Sequence, residues 1–236
     1  MCHLLAGLPR AKYDVAILTS NKLPPRCPLQ GDLKGELEKR GGREIRTPLR
    51  RWTGAWLQYQ AFAHDLQHRV AKTAQILRDQ QIDVVVTHGL NLIEPALAAR
   101  VCGLPHIWSL GEAIDDPASA PLLQAEQLYP LVTGLSFRVV IGSQAMKLAF
   151  DRHGASAKVE MIDAALREGE AQLHVQRMVQ IIGEACEAAR GVPDESDWVA
   201  VLEIILHLKN LALSRCKPAG QEVSLLQKAR AYLRAA

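Results

Sequence analysis

Three residues that can take part in ligand binding stand together where a run of apolar residues ends. The run at 82–87 is followed by His88, Gly89 and Asn91. An imidazole can contact a hydroxyl group or a phosphate of a ligand, and it can equally be a structural histidine bonded to a neighbouring loop. Gly89 and Asn91 can offer close backbone approach and amide donors, or they can be turn formers. We therefore treat all three as candidate binding residues.

Glu112 and Ser143 follow two further apolar runs. Glu112 comes after residues 106–110, and a carboxylate in a partly desolvated cleft can act as a general base because its pKa is raised. It can also be a solvated carboxylate or one that caps a loop. Asp115 and Asp116 are the reserve candidates for the same role. Ser143 is expected to cap the helix that follows it, and an anion bound at that helix N-terminus is the functional alternative.

Short strands and helices must position these residues. Strands are predicted at 13–20, 43–47, 82–89, 106–110, 137–141 and 158–162, with helices at 1–8, 30–40, 56–80, 94–102 and 144–154. This alternation predicts an α/β fold with a parallel sheet and helices on both faces, in which ligands bind beyond the carboxyl ends of the strands. All the candidate residues end or follow predicted strands, so function is expected at that edge.

The pattern changes to helix alone after about residue 164. Three amphipathic segments are predicted, at 166–190, 195–214 and 221–234, with breaks at 191–193 and 218–220. Their apolar positions, such as Met178, Trp198 and Leu202, are expected in a core or an interface. We therefore predict an α/β domain at 1–165 and an all-helical tail at 166–236.

The amino-acid composition limits the classes of protein to which the chain can belong. The 236 residues are 48% apolar, which suits a packed core, and no stretch reaches the ~20 uncharged residues that span a bilayer. The N-terminus lacks the pattern of a secretory signal, so we expect a cytoplasmic protein, with peripheral attachment to the inner membrane face as an option. Five scattered cysteines and eight dispersed histidines predict neither a metal site nor a cofactor. The net charge of +3 does not point to a nucleic-acid partner.

One local charge cluster leaves two interpretations open. Six basic residues fall within thirteen positions: Lys39, Arg40, Arg43, Arg46, Arg50 and Arg51. A solvated basic face is the simpler interpretation. The alternative is a patch that faces the phosphates of a ligand or an anionic membrane surface, where each Lys or Arg adds about 1 kcal/mol.

The ordered motifs resemble the N-terminal domain of glycosyltransferase family 4 and its two-domain GT-B relatives. The resemblance runs through "YDVAILT", "DVVVTHG", the small-residue helix "AAR", the turn "GLPHI", the acidic residue after the strand, "VVIGSQAMKLAF" and "KVEMI". It covers residues 1 to about 165 and implies a Rossmann-like domain. Compared with the family, the sequence lacks the first strand with its glycine-rich turn, and residues 165–236 do not supply the domain that binds the nucleotide sugar.

The resemblance implies a role for each candidate. Glu112 corresponds to the general base, while His88, Gly89 and Asn91 would contact a sugar acceptor, with a lipid- or phosphate-linked acceptor as one option. Ser143 keeps its two roles, as the cap of the following helix or as part of an anion site. The nucleotide sugar would come from a second domain or a partner chain, so we do not expect this chain to transfer sugar alone. The alternative function is a non-catalytic, degenerate Rossmann-like binding or scaffold protein whose helical tail pairs with a partner or with itself as a homo-oligomer.

Overall fold

The computed structural model describes residues 2–20, 28–52, 61–111, 122–162, 168–188 and 195–215. In these ranges the strands are β1 (Ala16–Ser20), β2 (Arg43–Thr47), β3 (Val85–His88), β4 (His106–Leu110), β5 (Arg138–Ile141) and β6 (Val159–Met161). The helices are α1 (Cys2–Gly7), α2 (Pro28–Lys39), α3 (Leu66–Asp79), α4 (Glu94–Val101), α5 (Ala125–Gly134), α6 (Gln144–Arg152), α7 (Glu168–Glu187) and α8 (Glu195–Arg215). Glu112, Asp115, Asp116 and the predicted helix at 221–234 lie outside the described residues.

The predicted α/β class is confirmed, because all described strand pairs are parallel and helices cover the sheets. The strands nevertheless form two sheets, β1–β2 and β3–β4–β5–β6, where the sequence pattern suggested one. Paired strands lie about 4.8 Å apart, whereas most Cα atoms of β1 are more than 8 Å from every Cα atom of β3. Ile17 of β1 and Val86 of β3 still pack into the same hydrophobic cluster. The two sheets thus share one set of helical layers.

Alternate residues of the central strands divide the core into two layers. Ile107 and Val140 are buried on one face, and Trp108 and Val139 on the other. This follows from the two-residue period of a strand, which sends neighbouring side chains to opposite faces. Because both faces are apolar, each needs a covering layer of helices.

The last two described helices lie on opposite sides of this sheet, with α8 packed against α3 and α4. The buried side chains of α7 join Ile107 and Val140 in one cluster: Met178, Ile181, Ile182 and Ala185. Those of α8 join the cluster on the other face: Val201, Ile205, Leu208 and Ala212. Within the described ranges, no helix combines the length and apolar character needed to cross a membrane. The buried faces of α7 and α8 are therefore part of the core of the α/β unit.

The helix predicted at 56–80 is interrupted. Asp65 has a left-handed backbone (φ 54°), and α3 begins only after it. The guanidinium of Arg69 donates hydrogen bonds to the carbonyl oxygens of Phe62 and His64. A continuous helix would use these carbonyls for its own amide groups. Arg69 therefore stabilises the break that separates the helical residues 61–63 from α3.

The helix α5 was not predicted from the sequence. Pro130 lies inside it, and a proline inside a helix removes an amide donor and usually ends or kinks the helix. Here Leu128 and Val132, on either side of Pro130, are buried in the core, while Pro130 itself is exposed. Tertiary packing on one face of α5 offsets the local cost of the proline.

Candidate functional site

The carboxyl ends of β3 and β4 bring a histidine and a serine together. His88 is the last residue of β3 and is exposed, and the parallel register places it beside Ser109. Its Nδ1 atom lies 3.4 Å from the hydroxyl oxygen of Ser109, and the tautomer of the ring decides which group donates. Sequence reasoning found His88 and missed Ser109, which only the register between the strands could have indicated.

Gly89 forms the turn that leaves β3. Its φ of +76° is a conformation that residues with a side chain rarely adopt, and a Cβ atom there would meet nothing within 4 Å. Its amide donates to the carbonyl oxygen of Ser109 at 2.8 Å, and its own carbonyl accepts from the indole Nε1–H of Trp108 at 2.7 Å. The backbone at Gly89 is therefore held in place and open to approach.

Trp52 fixes the rest of this loop. Its side chain is fully buried, and its Nε1–H donates to the carbonyl oxygen of Leu90. Its backbone amide donates to the carbonyl oxygen of Asn91 at 3.2 Å, and its carbonyl accepts from the amide of Leu122 at 3.1 Å. The loops after β2 and β3 are thus joined through one residue. Trp52 was not a candidate from the sequence, although a buried indole N–H generally has a hydrogen-bond partner.

A buried ion pair lies beneath the same loops. Glu94 opens α4, and its Oε1 atom accepts from Nε of Arg69 at 3.0 Å and from the backbone amide of Arg50 at 3.1 Å. Both side chains are almost fully buried. Burial raises the pKa of Glu94, and the charge of Arg69 opposes that rise. Glu94 therefore connects the loop after β2, the first turn of α3 and the start of α4.

Ser143 caps α6. Its side-chain oxygen accepts a hydrogen bond from the backbone amide of Met146 at 3.3 Å, and its backbone is extended, as is typical of an N-cap residue. The amide of Gly142 donates to the carbonyl oxygen of Leu110 at 3.1 Å, so the start of α6 lies beside the end of β4. Ser143 is thus at the same edge as His88, and the contacts of the described residues do not join the two side chains.

His106, the first residue of β4, is a buried histidine outside this edge. Its Nε2 atom lies 2.8 Å from the hydroxyl of Thr87, and its ring packs edge-on against Trp108. Burial lowers the pKa of His106 to about 3, so the ring is neutral at ordinary pH. His106 supports the strand and does not face the candidate site.

The basic cluster is divided between structural and exposed positions. Arg40 is buried and donates to the carbonyl oxygens of Leu8 and Ala6, which caps the end of α1. Lys39, Arg43 and Arg46 each lie within 4 Å of a carboxylate. Arg50 and Arg51 follow β2 at the carboxyl edge, and Arg51 is exposed. Only these last two lie near the candidate site.

A surface cavity among the described residues lies away from this edge. A surface cavity of about 380 Å³ between the segment before β1 and α7 is lined by Pro9, Lys12, Tyr13, Val179, Gln180, Gly183, Glu184 and Glu187. Its Glu184 pairs with Arg138, the first residue of β5, so the cavity is at the amino edge of the sheet.

In the part of the chain that the structure describes, no three His, Cys, Asp or Glu residues cluster as metal ligands.

The comparison with known proteins identifies the domain. No curated protein matches the chain. The model of the glycosyl transferase 4-like domain matches residues 1–164, which is more than half of the chain and includes the six strands that the structure describes. The chain therefore belongs to the family of glycosyl transferase 4-like domains.

Proposed function

We propose that this chain is the acceptor-binding half of a two-domain glycosyltransferase of the GT-B type, and that a second domain or partner chain binds the nucleotide sugar. The observation that carries the proposal is the exposed imidazole of His88 at the carboxyl edge, beside the open backbone of Gly89. Membership of the glycosyl transferase 4-like family supports a glycosyltransferase-type reaction. The acceptor role is our inference from the chemistry of this edge.

The residues at this edge suit a polyhydroxylated ligand. An imidazole and a hydroxyl that lie 3.4 Å apart, on His88 and Ser109, can donate to and accept from the hydroxyl groups of a sugar. Gly89 presents no side chain, so a ligand can approach its backbone closely. Because Trp52 and Trp108 hold the loop through hydrogen bonds, binding would require little further ordering of the loop.

Positive charge at the same edge favours an acceptor that carries a phosphate. Arg50 and Arg51 lie on the loop that Trp52 and Glu94 hold against the β3–α4 loop. The N-terminus of α6, with Ser143 as its cap, adds the positive end of a helix dipole. In this proposal Glu112, three residues beyond Ser109, is the general base that deprotonates the acceptor hydroxyl.

The first experiment separates acceptor binding from donor binding. The purified chain is titrated calorimetrically with alkyl glycosides, with short-chain polyprenyl phosphates, and with a panel of nucleoside diphosphates and nucleotide sugars. We expect saturable binding of a glycoside or polyprenyl phosphate tighter than ~1 mM, near −4 kcal/mol. Nucleotides and nucleotide sugars are expected not to bind. Transfer and hydrolysis of the sugar are expected only when a donor-binding domain is added.

Two variants test the site itself. His88→Ala is expected to weaken acceptor binding at least tenfold, while His68→Ala, which removes an exposed histidine of α3, should leave it unchanged. Glu112→Gln should preserve binding and abolish transfer in the reconstituted enzyme. Binding of a nucleotide sugar to the chain alone would argue against the acceptor-half assignment. No binding of any acceptor would favour the non-catalytic scaffold function.

A further inference from the structure

The last described helix, α8, has a second apolar stripe that points away from the core. Val199, Leu206 and Leu213 are 52%, 55% and 37% exposed, although they are large and apolar. They are seven residues apart, so they lie along one side of the helix, which is the spacing of a coiled-coil seam. Leu202 lies between the first two of them and is half-buried.

The core does not need this stripe. The side chains with which α8 packs on the α/β unit form a separate, fully buried face: Val201, Ile205, Leu208 and Ala212. Asp197 also belongs to the core side, where it pairs with Arg100 of α4 at 2.7 Å. A surface helix normally has one apolar face and one polar face. A second apolar face with a seven-residue repeat indicates a helical partner.

We propose that a second copy of this chain occupies the stripe, with the two α8 helices antiparallel. Leu206 is midway between Val199 and Leu213. A two-fold axis at Leu206 therefore places Val199 of each copy opposite Leu213 of the other, and Leu206 opposite itself. A two-fold interface requires this kind of self-complementary pattern, in which each contact occurs twice.

Charge selects the antiparallel orientation over the parallel one. Glu203 lies three residues before Leu206 and Lys209 three residues after it, and Glu203 is exposed. In the antiparallel arrangement the acidic part of one helix lies beside the basic part of the other. The helix dipoles are also opposed, which is favourable. A parallel arrangement would place like charges at the same level.

The stripe predicts a weak dimer. The segment from Val199 to Leu213 spans about 21 Å at a rise of 1.5 Å per residue. A single pair of helices of this length is at the small end of protein interfaces. We therefore expect a dissociation constant weaker than about 1 μM, with a dimer that forms as the concentration rises.

Sedimentation velocity of the full chain between about 1 and 200 μM tests the proposal. We expect a concentration-dependent dimer that Leu206→Glu abolishes while the monomer stays folded by circular dichroism. Leu173→Glu is the matched control, because Leu173 is 63% exposed on α7, away from the stripe. This variant should still dimerise. A wild-type chain that is monomeric throughout overturns the proposal, and so does a dimer that Leu206→Glu leaves intact.

A mixing experiment tests the orientation. Val199→Lys and Leu213→Glu should each weaken the dimer when measured alone. When the two variants are mixed, antiparallel pairing places the new lysine opposite the new glutamate, so a heterodimer at least tenfold tighter than either homodimer is expected. Parallel pairing places each new charge opposite an apolar residue, and absence of this rescue would rule out the antiparallel geometry.

Discussion

Buried His106 is expected to make the folded state lose stability as the pH falls below about 6.5. Burial lowers the pKa of this ring from 6.5 to about 3 in the folded state. Between these two values the unfolded chain binds a proton that the folded chain does not. The free energy of unfolding therefore decreases as the pH falls through this window, and the contribution of the neutral ring is complete above it.

The magnitude follows from the width of the window. Each pH unit below 6.5 costs about 1.4 kcal/mol, so the loss at pH 5 is about 2 kcal/mol. Replacement of the ring in His106→Gln removes the titration. Glutamine can still bond to the hydroxyl of Thr87, and the loss of the edge-on contact with Trp108 destabilises the variant at every pH. Only the pH-dependent part identifies the buried proton.

Urea unfolding at pH 7 and pH 5 measures this difference. We expect wild type to lose about 2 kcal/mol more than His106→Gln between the two pH values. His68→Gln, which changes an exposed histidine of α3, should behave as wild type. His174, whose pKa is also lowered by burial, is present in all three proteins and cancels in the comparison. Equal losses in wild type and His106→Gln would refute the assignment of a buried, neutral His106.

Four further changes test other parts of the structure. Glu94→Gln removes the charge that faces buried Arg69, and urea unfolding should show a loss of about 3 kcal/mol; a loss below about 1 kcal/mol would contradict this. Trp52→Phe deletes the donor to the carbonyl oxygen of Leu90. We expect the free energy of unfolding to fall by about 2 to 3 kcal/mol and acceptor binding to weaken. Unchanged binding would mean that loop rigidity is not required. Ser143→Ala removes the cap of α6 and should cost about 1 kcal/mol, whereas Ser143→Asp, which keeps a capping oxygen, should cost less. A fragment of residues 1–164 lacks α7 and α8 and should show no cooperative thermal unfolding, which a sharp calorimetric transition would disprove.

The strand ends could be predicted because the relevant signals are local. Apolar runs such as 82–87 and 137–141 are followed closely by His88 and Ser143. Parallel strands place their carboxyl ends at one edge of the sheet. The contact between His88 and Ser109 depends on the register between two strands, and no local pattern in the chain states that register. The edge was therefore predictable, and the pairing within it was not.

The interactions that support the site were not predictable, because they join distant parts of the chain. Trp52 binds the loop that contains Asn91, and Arg69 pairs with Glu94. A buried guanidinium and carboxylate look like ordinary surface residues in the sequence, since each is favourable only when its partner is present. The break before α3 has the same origin, because Arg69 bonds to the carbonyls that a continuous helix would use.

The tail illustrates how periodicity can predict a helix without predicting its layer. Both α7 and α8 were expected as amphipathic helices, yet α7 packs on one face of the central sheet, whereas α8 lies on the other side, against α3 and α4. A β4 strand that is apolar on both faces, with Ile107 on one and Trp108 on the other, requires covering layers on both sides. Because α8 packs against α3 and α4 with one face only, its stripe of Val199, Leu206 and Leu213 is available to a second copy of the chain.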